Sequence, residues 1–423
     1  NEPADYSPEN RPLKPVRSLK VSLKGVKEED FTFVMGYPGR TQRFQTAAQL
    51  RQMLAQNRVS IDARTVRQRV MREEMEKDPA VRLQYANKYA GSSNGWKKWQ
   101  GEELAFDNLD IIGREEAREA EFEKWINAKP KRQKAYGGAV ADIAAAVEQL
   151  SPLMGSLTLA METIGRIEVL NPRRVEKDYN AEVDRKIAKA LIGHYLERVE
   201  PEVRIDGVSD SEEYLDLLYG EDAGTREALS KAMDEKYELY LPVIRRLNRE
   251  LADASQRFTA GLLEWEKGKP SYPDANFTMR LTYGSVLPYS PKDGVSYWYY
   301  TTADGLLQKE NPLDYEFRLP ATAKQAIGAG DFGRYADPSD GKLHCCFITN
   351  NDITGGNSGS PVLDADGALV GLAFDGNWES MSSDVCFEPG LQRCICVDIR
   401  YVLWAVEKLG GATDLIDEIS FKQ

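Results

Sequence analysis

Hydrophobic and polar positions change rhythm twice along the chain. In the first segment apolar residues alternate with polar ones in Leu19-Lys20-Val21-Ser22-Leu23 and again in Phe31-Thr32-Phe33-Val34-Met35, with a charged turn between them. A period of two belongs to strands with one buried face, so these runs predict a hairpin that Gly36-Tyr37-Pro38-Gly39-Arg40-Thr41 brings to an end. From about residue 42 to 265 the sequence turns rich in Ala, Leu, Glu, Lys and Arg, and apolar residues fall three and four apart. That spacing predicts helices in Ala47–Gln56, Asp62–Asp78, Glu115–Ala128, Ala139–Leu150 and Leu229–Lys267. Pro152, Pro172, Pro201, Gly207 and Gly224 punctuate them. The pattern is too irregular for a repeat array and sustains no heptad, so a packed helical domain is expected rather than a coiled coil. Strand character returns in Phe277–Gly284, Ser296–Thr302, Leu343–Thr349, Ala368–Phe374 and Ile395–Ile399, before a last helix at Val402–Lys408. The order β, long α block, β predicts one β-fold interrupted by a helical insertion, with segments 1–45, 46–270 and 271–423.

Composition narrows the partners. The chain has 423 residues, enough for about three domains of the usual size, and a formal charge of -12 with its basic residues scattered. Neither nucleic acid nor an anionic membrane is an expected partner, and no apolar run is read as approaching the roughly 20 residues of a membrane span. Asn1 opens directly into a polar, proline-rich segment without an initiating Met, which suggests a mature, processed or partial chain, and no signal peptide is expected within it. The five cysteines (Cys345, Cys346, Cys386, Cys394, Cys396) match no zinc spacing, there being only two histidines. Small buried apolar roles are expected for most, one disulfide remains open, and no metal is implied.

The chemistry concentrates in Thr354-Gly355-Gly356-Asn357-Ser358-Gly359-Ser360-Pro361-Val362. Glycines before and after Ser358 let the backbone turn tightly and leave room beside the hydroxyl. In the order Gly-x-Ser-Gly, the Gly356 and Ser358 N–H groups can converge on one point, the donor pair that holds the oxyanion of a tetrahedral intermediate. The following Val362–Phe374 reads as two strands joined by an Asp-Gly turn. A serine leading into a hairpin is the layout of chymotrypsin-like proteases, unlike α/β-hydrolases, whose serine precedes a helix. Ser360, held before a proline, lacks the Gly-x-Ser geometry.

With these pieces in place, the chain resembles the bacterial serine dipeptidyl-peptidases of the dipeptidyl-peptidase 7 and 11 type. The resemblance runs through Val34–Thr41, Asp274–Gly284, Asn351–Val362, Phe374-Asp375-Gly376-Asn377-Trp378-Glu379 and Asp398–Leu403. It implies an α+β fold: a chymotrypsin-like double β-barrel, its first barrel incomplete in this chain, with a large inserted α-helical domain. It makes Ser358 the nucleophile and Asp375 the carboxylate that pairs with the substrate's free α-ammonium. Asn94, in Ser92-Ser93-Asn94-Gly95-Trp96, aligns with a helical-domain asparagine that accepts from the same ammonium; the plain alternative is a surface asparagine ending a helix. Gly376 stands where relatives that cut after Asp or Glu carry arginine, which implies an uncharged pocket and an apolar side chain on the residue whose carbonyl is attacked.

The resemblance breaks at the general base. The family carries its histidine and orienting aspartate, and an Asn-Trp pair that anchors the substrate terminus, upstream of the part that aligns. His194, in a helical context, and His344, on the strand before the serine loop, do not correspond to that base. The expected function is release of N-terminal dipeptides from oligopeptides, with the helical domain capping the cleft, no cofactor, homodimerisation by family analogy, and a periplasmic or secreted location. This chain alone is expected to react slowly or not at all. Two rivals stand beside it: a non-catalytic binder of peptide N-termini, and another acyl-transfer enzyme such as an esterase, against which Asp375 argues because esters have no ammonium to anchor.

Overall fold

The computed structural model describes residues 7–11, 14–171 and 178–422. The opening at Asn1 and the punctuating Pro172 lie outside them. The chain divides into two compact units, Gln42–Pro273 and a unit made of Asn1–Thr41 with Asp274–Gln423.

The first unit is helical: α1 (Ala47–Lys77), α2 (Pro79–Asn108), α3 (Ile111–Asn127), α4 (Pro130–Tyr136), α5 (Ala139–Glu162), α6 (Ala181–Arg198), α7 (Glu212–Tyr219) and α8 (Gly224–Trp265). Local chemistry sets several starts. The Thr46 N–H donates to Gln49 Oε1 before α1, Asp78 accepts from Ala80 N before α2 with Pro79 at its first position, and Asn180 and Ser211 cap α6 and α7. The two stretches expected at Ala47–Gln56 and Asp62–Asp78 form one helix. Pro152 and Pro242 sit inside α5 and α8 rather than ending them. Each forgoes one backbone bond, and buried Val147, Leu150 and Leu159 on either side of Pro152 hold α5 continuous.

Apolar clusters join these helices. Met71, Met75, Tyr85, Tyr89, Ile187 and Leu191 tie α1, α2 and α6 together. Phe122, Ile126, Ile143, Ala254, Phe258 and Leu262 join α3, α5 and α8, and Gly261 lets the Phe122 ring approach to 2.6 Å of where a Cβ would stand. Ile192, Tyr195, Leu215 and Leu218 lead another, and Leu150, Ile244 and Leu247 join α5 to α8. One stretch, Pro130–Arg166, is long and apolar enough by length and composition to cross a membrane, against the expectation that none approaches it. Its Ile143, Val147 and Leu150 are buried within the helical unit.

The second unit is built on a seven-stranded antiparallel sheet. Its strands are β1 (Phe31–Gly36), β2 (Arg280–Ser285), β5 (Tyr300–Thr302), β6 (His344–Thr349), β7 (Ser360–Leu363), β8 (Leu369–Gly376) and β9 (Cys394–Asp398), in the order β2-β1-β7-β8-β9-β6-β5. A separate ribbon pairs β3 (Tyr289–Lys292) with β4 (Val295–Tyr297). The helices α9 (Ala303–Lys309), α10 (Ala321–Gly328), α11 (Ile399–Trp404) and α12 (Thr413–Asp417) complete it. The hairpin expected between Leu19–Leu23 and Phe31–Met35 does not form. Val21 makes only isolated bridges to Leu369 and Phe421, and β1 pairs instead with β2 and β7. The fold is α+β, and β1 lies inside the sheet of the C-terminal strands.

Two cores flank the sheet. Val34, Val286, Phe347, Val362, Val370 and Ala373 fill one, and Leu343, Tyr335, Ile399, Leu403 and Trp404 the other. The second encloses an ionic centre: fully buried Arg400 donates to Asp398 through Nε and Nη2 and to Asp337 Oδ2 at 2.8 Å.

Candidate active site

Strand β6 delivers the chain to the serine loop, and two asparagines fix it there. Asn350 Oδ1 accepts from Ser285 N at 2.7 Å, while buried Asn351 accepts from Thr32 Oγ1 at 2.8 Å and donates to the Thr282 carbonyl. The loop then makes two turns in succession. Asn357 N donates to Thr354 O at 3.0 Å across a turn whose third residue, Gly356, has φ +104°. Ser360 N donates to Asn357 O at 2.9 Å across a second turn whose third residue, Gly359, has φ +85°. Positive φ at the third position marks both as type II, a geometry that glycine adopts without steric cost.

These turns set out the candidate chemistry. Ser358 occupies the exposed corner of the second turn and its hydroxyl donates to the Phe374 carbonyl at 3.3 Å. Among the described residues, neither Gly356 N–H nor Ser358 N–H donates to a protein acceptor, so both are free for a substrate oxygen. Ser360, by contrast, is buried in β7 opposite Ala373. Its Oγ lies 2.2 Å from where a Cβ on Gly36 would stand, so only glycine at the end of β1 leaves space for it.

Asp375 follows Phe374 on β8, where the register against β9 shifts between Ala373 and Asp375. This bulge frees the Phe374 carbonyl for the serine and turns the strand beside it. Asp375 is exposed; one of its oxygens accepts from Gly376 N at 2.8 Å, leaving the other for a ligand. A Cβ on Gly376 would come within 2.2 Å of Ser380 Oγ, so a side chain there requires that hydroxyl to rotate away. Just beyond, buried Asn377 bonds to Leu391 O and Arg393 N and holds the strand end in place.

Asn94 belongs to the helical unit. It does not end a helix: it sits well inside α2, on an exposed face. Beneath it, Arg64 of α1 makes a two-pronged ion pair with Glu162 of α5 at 2.9 and 3.0 Å, donates to the Ser92 carbonyl at 3.1 Å and lies 4.4 Å over the Trp99 ring. A Cβ on Gly95 would meet Arg64 Nη1 at 2.6 Å. The neighbours of Asn94 are thus chosen for this clamp. Burial would raise the Glu162 pKa, but hydrogen bonds from Arg64 and Arg166 outweigh it and hold the carboxyl ionised, below its usual range.

Neither histidine bonds to Ser358. His344 is buried, places Nε2 3.0 Å from Asp340 Oδ2, and stacks on Tyr300 at 3.9 Å. His194 is on α6, its pKa lowered chiefly by burial. Asp337, Asp340 and His344 bring potential metal-ligand atoms within 4.8 Å of one another. Asp337 Oδ2, however, already accepts from the Arg400 guanidinium at 2.8 Å, and that fixed cation opposes a second one. The five cysteines carry free thiols, with Cys394 and Cys396 buried and their sulfurs 3.6 Å apart.

The family model described as Peptidase S46 matches residues 1–171 and 173–421. Dipeptidyl-peptidase 7 of Phocaeicola vulgatus is 40% identical over 99% of this chain and 66% of its own length. The Asp/Glu-specific dipeptidyl-peptidase of Porphyromonas gingivalis is 34% identical over 99% and 66%. Porphyromonas endodontalis DPP11, solved with the dipeptide Arg-Glu, superposes with a TM-score of 0.91 at 32% identity, over 100% of this chain and 69% of that one. The chain therefore spans about two thirds of the length of these relatives. The apolar preference expected from Gly376 finds no support here, because the names that state a side-chain specificity state an acidic one.

Proposed function

The chain belongs to the Peptidase S46 family, and on that premise we propose that the complete protein is a serine dipeptidyl-peptidase acting on oligopeptides with a free N-terminus. The observation that carries this reading is an exposed serine beside two unbonded main-chain donors, with a half-free carboxylate on β8, next to the Phe374 carbonyl that the serine contacts. Ser358 Oγ attacks the second peptide carbonyl, and the oxyanion takes the Gly356 and Ser358 N–H groups. The serine proton passes to a general base, which the resemblance places in family sequence preceding the part aligned here. Asp375 grips the α-ammonium by a charge-assisted bond, so cleavage register follows the chain end. Asn94 is proposed as a further substrate-binding residue, and the double-barrel architecture, extracytoplasmic location and homodimer remain proposals by family analogy.

Blocking the substrate terminus tests the reading. Acetylating the N-terminus of a good peptide substrate removes the ammonium and should abolish cleavage by the complete protein; retained turnover refutes the role of Asp375. Two pointers bear on the residue whose carbonyl is attacked, and they disagree. Gly376 argues for an uncharged pocket, while the stated specificities of relatives are for Asp and Glu. Paired substrates with Glu or Leu at that position decide between them, and Gly376→Arg should move the ratio toward Glu.

A second reading, a non-catalytic binder of peptide N-termini, draws on the Ser358 hydroxyl donating to a carbonyl rather than to a base. Rapid fluorophosphonate labelling of Ser358 in the complete protein excludes it.

A further inference from the structure

We infer that Gly39 is a positioning residue for the oxyanion hole: its N–H, by holding the Gly355 carbonyl, keeps the Gly355–Gly356 peptide turned so that Gly356 N–H faces the substrate. This deepens the peptidase reading and rests on it for its catalytic consequence. Gly39 N donates to Gly355 O at 2.6 Å. In a trans peptide the carbonyl oxygen and the following N–H point in opposite directions, and the chain has no cis peptide bonds among the described residues. Fixing the Gly355 oxygen against Gly39 therefore fixes the direction of the Gly356 N–H on the other side.

The peptide in question is one that turns readily interconvert. Gly355 and Gly356 are the central residues of the first turn, and type I and type II turns differ chiefly by a half-rotation of the peptide between them. In the type II form seen here, with Gly356 at φ +104°, the N–H is free. In the type I form the Gly355 carbonyl would replace it, and a carbonyl oxygen repels an oxyanion. Nothing within the turn itself decides strongly between the two, since both central residues are glycine. The decision comes from outside the loop.

The holder is itself held. Phe277 N donates to both Pro38 O and Gly39 O, at 2.9 and 3.0 Å, and Phe277 takes φ +63°, a conformation unusual for a bulky side chain. Its ring packs where a Gly39 Cβ would begin, 3.1 Å from that point, although 71% of the residue is exposed. Thr41 accepts from Ala275 N and donates to Asp274, closing the other end of the turn. On the loop side, a Cβ on Gly356 would strike Tyr37 O at 2.4 Å, so the oxyanion turn sits directly on the 37–39 backbone. A strained, exposed aromatic thus clamps a turn whose Gly39 amide secures the hole.

The test is Gly39→Ala in the complete protein, where the new Cβ would stand 2.8 Å from Gly355 O and push the carbonyl away. Kinetics on a dipeptide-releasing substrate should show kcat about 10²-fold lower, the loss typical of one oxyanion donor. KM should stay within about threefold, because the donor acts in the transition state alone. The crystal structure of the variant should show the Gly355 carbonyl flipped and Gly356 at negative φ. Unchanged kcat, or a Gly355 peptide that keeps its orientation, overturns the inference. The structural readout stands even if the wild-type protein cleaves no dipeptides, an outcome that would sink the peptidase reading separately. Should Gly39→Ala not fold, Phe277→Gly removes the clamp without adding bulk and tolerates the same φ. A kcat drop of roughly three- to tenfold with partial flipping supports the inference, and full kcat with Gly356 unmoved overturns it.

Discussion

Ser358 and Asn94, two residues expected to contact the substrate, are set in place by different means. Around Ser358 the work is done by the main chain. Successive type II turns, the Gly39–Gly355 bond and the bulge at Phe374 define where the hydroxyl and the two amides point. Around Asn94 it is done by side chains: the helix that carries it is registered by Arg64, Glu162, Arg166 and Trp99. The backbone device has no charge to titrate and fails when a Cβ is added at Gly36, Gly39 or Gly356. The side-chain device tolerates local backbone adjustment but fails when one ion loses its partner. Each site should therefore break under a different kind of substitution.

The largest effect belongs to the serine itself. Ser358→Ala in the complete protein should lower kcat by at least about 10⁴-fold, since removing a nucleophile leaves only binding and oxyanion stabilisation. Binding of a dipeptide product, followed by calorimetry, should change little, because Asp375 and the loop backbone remain. A variant that loses product binding together with turnover would show that the loop depends on the Ser358 side chain, and the contrast drawn above would fail on the β side.

Glu162→Ala tests the other side. It strands Arg64 and Arg166 with side chains only 12% and 30% exposed, and breaking a buried pair by removing one partner costs about 3–5 kcal/mol. Hydrogen exchange should rise in α1, α2 and α5 and remain as in the wild type in β7 and β8. Exchange that rises equally in both units would mean that the clamp stabilises the whole chain rather than its own helices.

The same contrast explains what could be read in the sequence. The serine loop was legible because its geometry demands glycine at two positions, and Gly356 and Gly359 are visible as letters. The α+β alternation was legible for a similar reason, from periods of two and of three to four. The partner of β1 was not: alternation in Phe31–Met35 reveals which face is buried, not which strand lies alongside, and β2 follows only after the whole helical unit. Helix α2 escaped notice because Gly91, Ser92, Ser93 and Gly95 are weak helix formers. Its stability comes from buried Tyr85, Tyr89 and Phe106 and from Arg64, contacts that are distant in sequence. The role of Gly39 was invisible for the same reason; a backbone amide leaves no letter of its own.

The smallest effect is a titration, and it separates the two units by pH. In the β unit Asp337 accepts from Ser339 N and Oγ and from Arg400 Nη1, at 2.9, 2.6 and 2.8 Å. Burial pushes its pKa upward, but these donors prevail and bring it down from 3.8 to about 2. A carboxyl held below its unfolded value contributes stability above about pH 4 that is lost as pH falls toward 2. A depression of that size corresponds to about 2 kcal/mol. Its neighbours Asp340 and His344 face the same centre, with Asp340 likewise held below its usual value despite burial, by Lys342 N and His344. Exchange at the β6 and α11 amides should accelerate between pH 4 and 2 by more than the intrinsic chemistry of exchange accounts for. Asp337→Asn should flatten that dependence while lowering stability at neutral pH, because Arg400 then loses a charged partner. An unaltered acid slope in the variant would place the sensitive group elsewhere, with Asp364, depressed mainly by Lys422 against burial, the first to examine.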